Sequence, residues 1–436
     1  MNSQRRISDR FLYGVLVFCI FSFKVIVLGV GESGVRVDDP IIFFAYLVLV
    51  YRGDLFSVKR SRAFNLYLCF ILASFVSTAW SAWHGRVEWV YSTLFVVRMS
   101  QYLVFYYIGN SVARMGADLA RVLKLYVLVL CLAVPLQMLR ILPVPNDFGA
   151  TRASGNTNGP YELGAVAAFL LCYLGYRNKE RFSGIIAFAL IILSGARSVL
   201  AGAAISLVRI MTPRSKRLML KSALIALPFF LFGAFLGATG TFSISGSNLD
   251  SNSVLLQRFS TATSMGSLAD TSAAYEASPG YQSSAEYFEG AFVNAIALAR
   301  LNEGDASGLM RVFRWSALLK STLENVDTTL IGLGPSFGTS AVDGYFVRVF
   351  VETGVIGLGL FLWFLWSLFS SNQGSPWQFR EFVLILMVTA ISIDIFVSYK
   401  TMLLLWLWHG MNEYQVEKRT NTKRQEPVIN SIPLGL

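Results

Sequence analysis

The chain has 436 residues, 54% of them hydrophobic and only 14% charged, with a formal net charge of +11. A soluble domain cannot hide that much apolar surface, whereas a polytopic helical membrane protein leaves it against lipid. In such a protein the position of each Lys and Arg matters more than the sum, so the positive balance does not point to nucleic acid. The four cysteines, Cys19, Cys69, Cys131 and Cys172, all lie inside apolar runs and read as small core residues, with no disulfide framework implied. The N-terminus has no small-residue cleavage site close behind its apolar run, so the first helix reads as retained.

In chain order there are about twelve apolar runs, most of them roughly 12–22 residues long, as bilayer-crossing or re-entrant helices require. They cover residues 11–30 (carrying Lys24), 40–51, 64–83, 89–109, 120–139, 161–176, 182–194, 199–210, 222–238, 353–370, 382–398 and 402–409. The second is short and can start a few residues earlier, and the last is shorter than a full span.

Placing the N-terminus in the cytoplasm gathers Arg5, Arg6, Arg10, Arg52, Lys59, Arg60, Arg62, Arg114, Arg121 and Lys124 on that side. Arg177, Lys179, Arg181, Arg209, Arg214, Lys216, Arg217, Lys221 and Arg380 join them, with Lys418, Arg419, Lys423 and Arg424 of the tail. These are well over half of the 37 basic residues, as the positive-inside rule requires.

Residues 182–210 pose a choice between one long pass with Arg197 at its middle and a tight hairpin with Ser-Gly-Ala-Arg-Ser at the tip. A mid-bilayer arginine costs several kcal/mol, so the hairpin is expected, with Arg197 at the outer face. The resulting organisation is nine helices over 1–239, a large outer loop over 240–345, three helices over 346–411 and a basic cytoplasmic tail over 412–436. Inside the loop, 243–284 is rich in Ser, Gly, Ala and Asn, while 285–301 and 308–323 have apolar residues at helical spacing and read as a small cap. The chain carries no internal repeat, which counts against transporters built from duplicated halves.

Five places can carry chemistry. Arg152, Asn156 and Asn158 sit on a polar, turn-rich loop, which is either ordinary solvated loop or an anion cradle beside a helix start. Arg197 either snorkels or lines a watery tip. Arg311, Arg314 and Trp315 share adjoining faces of a cap helix, either solvated or binding phosphate. Asp343 and Tyr345 precede an apolar helix that also carries Glu352, and a carboxylate there is either a helix cap or a general base. Arg98 and Asp394 lie within apolar runs and are expensive unless paired, with each other or within the bundle. His84 and His409 are far apart, and no zinc-type spacing, Walker A loop or Asp-x-Asp motif occurs, so neither a cofactor nor a nucleotide-bound donor is expected.

These pieces resemble, in order, the motifs of the Wzy-type O-antigen polymerases and the related O-antigen ligases. RASGNTNGPYELG is similar to the family's Arg-x-x-Gly…Asn-Pro-Asn loop, and LSGARSVLAGA looks like its Ser-Arg-Ser hairpin. RVFRWSALLKSTLENVDTTLIGLGPSFG resembles its Arg-x-x-x-Trp helix with the following Gly-rich turn, and VDGYFVRVFVETGVIGLGLFL its last motif. Asn158-Gly159-Pro160 departs from the usual Asn-Pro-Asn. Ligases typically carry a histidine in the last motif, where this chain has Asp343. The resemblance implies an all-α polytopic membrane protein with about twelve transmembrane helices and a large late periplasmic loop holding short helices. It implies a bacterial inner-membrane location with both termini cytoplasmic. It further implies a metal-independent glycosyltransferase that joins undecaprenyl-pyrophosphate-linked oligosaccharides, without cofactor or nucleic acid and with a chain-length regulator as protein partner. Arg152, Asn158, Arg197, Arg311 and Arg314 would hold the pyrophosphate. Asp343 would be the base, Tyr345 would position the acceptor, and Glu352 would be a second base or an arginine's partner. The alternatives are a ligase acting on lipid A core, a peptidoglycan-type polymerase, and a non-enzymatic flippase or transporter.

Overall fold

The computed structural model describes residues 3–23, 26–28, 35–142, 153–157, 159–178, 180–211, 315, 318–338, 342–370 and 376–425. These residues are helical apart from turns and one two-stranded antiparallel ribbon, β1 (Ile26–Leu28) with β2 (Val35–Arg36). Among the described residues three helices are long and apolar enough to cross a membrane: α4 (Arg62–Trp83), α7 (Leu119–Met138) and α12 (Tyr345–Ser370). Their outward apolar faces, with Leu72, Val76, Leu125, Leu128 and Trp366 exposed, mark a membrane protein. The ninth apolar run and most of the large outer loop lie outside the described residues.

Several boundaries differ from the hydropathy reading, each for a local reason. The first run stops as α1 (Ser3–Phe21), and the chain then turns into the ribbon. α2 (Asp38–Tyr51) begins at its acidic flank, where Asp38 and Asp39 suit the positive end of the helix dipole. A one-turn helix, α3 (Asp54–Ser57), follows. The fourth run is two helices, α5 (Trp89–Gln101) and α6 (Val104–Met115), broken at Tyr102–Leu103. The sixth is α8 (Pro160–Leu170) continued by a π-helical turn, Leu171–Arg177. Residues 182–210 form a hairpin, α9 (Arg181–Leu193) and α10 (Arg197–Met211), joined through Gly195 at φ +63°. Glycine at that left-handed position costs nothing, and the turn removes the need for a mid-span arginine.

Past the outer loop, residues 318–323 are helical and lead to α11 (Val326–Ile331). The eleventh run ends early, as α13 (Trp377–Ala390), and residues 391–398 connect it to α14 (Tyr399–Gln425) without continuous helix. The sequence called for a short twelfth run and a separate tail. Instead one helix runs through both as far as Gln425, because 412–425 contains no Gly or Pro to stop it.

Helix ends sort into two sets. At one end Arg114 pairs with Asp9 at 2.9 Å, Arg52 with Asp54 at 2.8 Å, Lys124 with Glu180 at 2.8 Å and Arg209 with Glu381 at 3.3 Å. Ser61 and His409 share a hydrogen bond of 2.7 Å at the same end. The opposite end collects the turn at Gly195, the loop 153–157, α11 and the connection 391–398, and Asn156, Arg197, Asp343 and Asp394 lie there. α6 and α14 cross with bare backbone at the contact. A Cβ on Gly109 would strike the Leu407 carbonyl, and one on Gly410 the Tyr106 carbonyl. Small residues that let helices approach this closely supply packing where lipid offers no hydrophobic drive.

Two outcomes are expected. Gly109→Ala or Gly410→Ala must separate two backbones, at a cost of about 1–3 kcal/mol, measurable as a lower thermal midpoint in detergent. Asp327 on α11 accepts from the Trp80 indole at 3.1 Å and from Arg86 at 3.0 Å, and these bonds hold its carboxyl below its ordinary value. This tie is therefore complete above the unfolded carboxylate value of about 4 and is lost as pH falls from there through the lower folded value. Asp327→Asn should flatten the acid limb of the thermal midpoint plotted against pH.

Candidate active site

The run from Gly332 to Trp366 folds around a break in its own helix. Gly354 has φ +65° and ψ −167°, so α12 is interrupted at the head of its apolar stretch. Interruption leaves carbonyls without helical donors. Leu333 N donates to Val351 O at 2.8 Å, Gly334 N to Glu352 O at 3.1 Å, and Ser77 Oγ to Glu352 O at 2.6 Å. The approach is close enough that Cβ atoms on Gly332 and Gly354 would strike the Glu352–Thr353 and Leu330–Ile331 backbones respectively. The Gly-rich turn and the Glu-Thr-Gly of α12 are therefore two halves of one joint.

Above the joint stands a buried charge chain. Arg348, on the first turn of α12, donates from Nε to Glu352 Oε1 at 3.1 Å and from Nη1 to Asp394 Oδ2 at 2.8 Å. Its guanidinium lies 5.2 Å from the Phe95 ring centre. Glu352 Oε1 also accepts from Ser336 N at 3.1 Å. Asp394 accepts three backbone donors, Val342 N at 3.1 Å, Asp343 N at 3.3 Å and Gly344 N at 3.2 Å. It thus serves as the cap of α12 from a distant part of the chain. Of the two expectations for Asp394, pairing with Arg98 or a structural place within the bundle, the second describes it. Asp394 lies on the non-helical connection behind α13, where it reaches Arg348 instead.

The candidate residues fare differently. Asp343 has a left-handed backbone, φ +57°, and is half-buried. Non-glycine residues adopt that conformation at some cost and cluster at functional sites. Tyr345 is buried, with its ring 5.0 Å from Phe361 and 5.3 Å from Phe396, so it packs in the core. Glu352 is buried in the ion pair with Arg348 and is the arginine's partner.

Arg197 is exposed as the first residue of α10. α10 runs antiparallel to α13, with Gly202 against Ile385 and Arg209 paired to Glu381, so Arg197 stands level with the end of α13 from which Asp394 follows. Trp315 closes the other side. Its indole donates to Val342 O at 2.9 Å, and a Cβ on Gly344 would sit 2.6 Å from its ring. The Arg-x-x-x-Trp motif and the Asp343 turn thereby meet. Arg152, Asn158, Arg311 and Arg314 lie outside the described residues.

The loop 153–157 is not an ordinary solvated loop. Gln137 receives Ser154 N at 3.1 Å and Gly155 N at 2.7 Å and donates to Gly155 O at 2.8 Å. The Asn156 carboxamide accepts from Tyr126 at 2.7 Å and donates to the Ile20 and Phe21 carbonyls. Lys400 is also buried here, donating to Ile20 O at 3.0 Å and Asn156 O at 2.9 Å. Glu162 accepts from Lys400 N at 2.8 Å and Ser398 Oγ at 2.7 Å. Asn156 is therefore structural, and Lys400 and Glu162 join 391–400 to the head of α8. Nothing in the sequence singled them out beyond a lysine and a glutamate at the margins of apolar runs.

Among the described residues no group of three or more His, Cys, Asp or Glu is placed to hold a metal. The four cysteines are free; Cys19 and Cys172 are core residues as expected, whereas Cys69 is exposed and Cys131 half-buried, because an apolar helix in a membrane protein also has an outward face. No protein-family model and no curated protein matches the chain.

Asp394→Ala strips Arg348 of one buried partner and leaves three N–H groups uncapped. It should lower stability by about 3–5 kcal/mol, whereas Asp394→Asn, which keeps an acceptor, should cost less. Thermal unfolding of the two purified variants checks the order.

Proposed function

We propose that this chain is a polymerase of lipid-linked oligosaccharides, with about twelve membrane spans and its active site on the outer face of the bacterial inner membrane. One observation carries the reading. Of Asp343, Tyr345 and Glu352, Asp343 is the one that is not buried, and it stands in a fixed turn on the same end of the bundle as the exposed Arg197. The motif order supports it, since the pieces that resemble the Wzy-type family include the Trp315 contact with the Asp343 turn.

In this reaction an acceptor sugar hydroxyl attacks the anomeric carbon of a glycan carried on undecaprenyl pyrophosphate. Asp343 takes the hydroxyl proton as the new glycosidic bond forms. The bond from that carbon to the pyrophosphate oxygen breaks, and the leaving group departs with an added negative charge. Arginines stabilise that charge without a proton or metal, because a guanidinium stays charged and offers forked donors. Arg197, with Arg152, Arg311 and Arg314, fills this role, and Asn158 hydrogen-bonds the diphosphate. Both termini are cytoplasmic, and a chain-length regulator acts from the periplasmic side. Asp343 in place of the ligases' histidine favours polymerase over ligase.

Purified protein in liposomes, given lipid-linked repeats, should lengthen them. Asp343→Asn should reduce the rate by about 10²–10⁴-fold, and Arg197→Ala or Arg311→Ala by about 10²–10³-fold, each with an unchanged elution profile. Long polymer formed at the wild-type rate by any of the three overturns the assignment. Loss of every repeat from the final lipid anchor on deletion of the gene would identify a ligase or flippase instead.

A further inference from the structure

Lys400 and Glu162 take no part in the chemistry assigned to Asp343 and the arginines, yet they stand where two pieces of the outer end meet. Every residue of 153–157 is buried, although the loop is not helical. Thr157 closes it on itself, donating from Oγ1 to Gly159 O at 2.9 Å. Gln137 of α7 holds one side of the loop. Lys400 holds the other. Its ammonium donates to Asn156 O at 2.9 Å and to Ile20 O at 3.0 Å, and lies 5.7 Å from the Tyr126 ring centre.

A lysine is a costly occupant of a place that is 5% exposed. Methionine has nearly the same reach and no charge to desolvate. What the ammonium adds is several donors at one point. Two of them end on carbonyls from separate segments, the last turn of α1 and the loop, and so fix both to the head of α14. Glu162 adds a second tie, taking the Lys400 backbone N–H at 2.8 Å and the Ser398 hydroxyl at 2.7 Å on Oε1. The stretch from Asp394 to Lys400 is therefore secured at both ends. Asp394 caps the turn that carries Asp343, and Lys400 carries the loop.

The neighbours of this loop in the sequence are Arg152 and Asn158. We propose that Lys400 is a positioning residue for diphosphate binding, which sets the loop between Arg152 and Asn158 in register with the Asp343 turn. This role rests on the polymerase reading, in which those two residues hold the diphosphate and Asp343 is the base. Lys400 acts through the loop and does not touch the substrate.

The test compares the full chain with its Lys400→Met variant in lipid nanodiscs, for binding of undecaprenyl pyrophosphate and for turnover of lipid-linked repeats. Lys400→Met should weaken binding on the order of tenfold, about what one charge-assisted hydrogen bond supplies. It should raise KM to match and leave kcat nearly unchanged, as loss of uniform binding does. A merely structural role would shrink the folded fraction instead, which lowers the apparent kcat at an unchanged KM. Ser398→Ala removes one bond to Glu162 and leaves the buried ammonium alone, and it should weaken binding in the same direction. It decides the matter if Lys400→Met does not elute as a folded protein. Wild-type affinity in the folded variant, or a fall in kcat at constant KM, overturns the proposal and leaves the polymerase reading standing. A wild type that binds no diphosphate sinks that reading, and this role with it.

Discussion

The buried pairing of Arg348 with Glu352 and Asp394 is the constraint on which the candidate site depends. An arginine taken out of water is tolerable only when its partners are fixed and its donors are used. Here the two carboxylates come from different places, one on the arginine's own helix and one about fifty residues later by sequence separation (46). Glu352 reaches down to the Gly-rich turn through Ser336, and Asp394 reaches across to the backbone of 342–344. A single guanidinium therefore fixes the turn before α12, the break within it and the connection after α13 relative to one another. The strained φ of Asp343 is held by that network, since three successive backbone donors end on one carboxylate.

The rest of this end of the bundle follows the same logic of polar groups matched across elements. Gln137 uses its amide to satisfy a loop as a strand neighbour would, and Lys400 spends its ammonium on two carbonyls from different segments. Non-helical backbone among apolar helices persists only where such partners exist. The loop 153–157 and the connection 391–398 are both of this kind.

Much of the architecture was legible in the sequence. The membrane class followed from composition, and the hairpin at Gly195 followed from the cost of a mid-span arginine. Hydropathy gave the apolar runs but not their breaks at Tyr102–Leu103, Gly354 or Ala390, because a helix break within apolar sequence leaves the hydropathy unchanged. Asp394 was noticed as an acid in an apolar run, yet its partner could not be read. Arg348 and Asp394 meet only after two helices fold back on each other, and no spacing rule links residues so far apart. Tyr345 and Glu352 were credible as chemistry from their place beside Asp343. Their burial, a tertiary property, separates them from it.

α14 gives the chain one more property. It is a continuous helix of 27 residues, about 40 Å long at 1.5 Å per residue. Its first turn holds Lys400, bolted to the loop beside the candidate site, and its last turns carry the exposed Lys418 and Arg419. Between them Gly410 keys it into α6, backbone against backbone. The C-terminal segment is thus a stiff rod with a fulcrum near its middle. Its basic end and the loop that Lys400 holds therefore cannot be placed independently of one another.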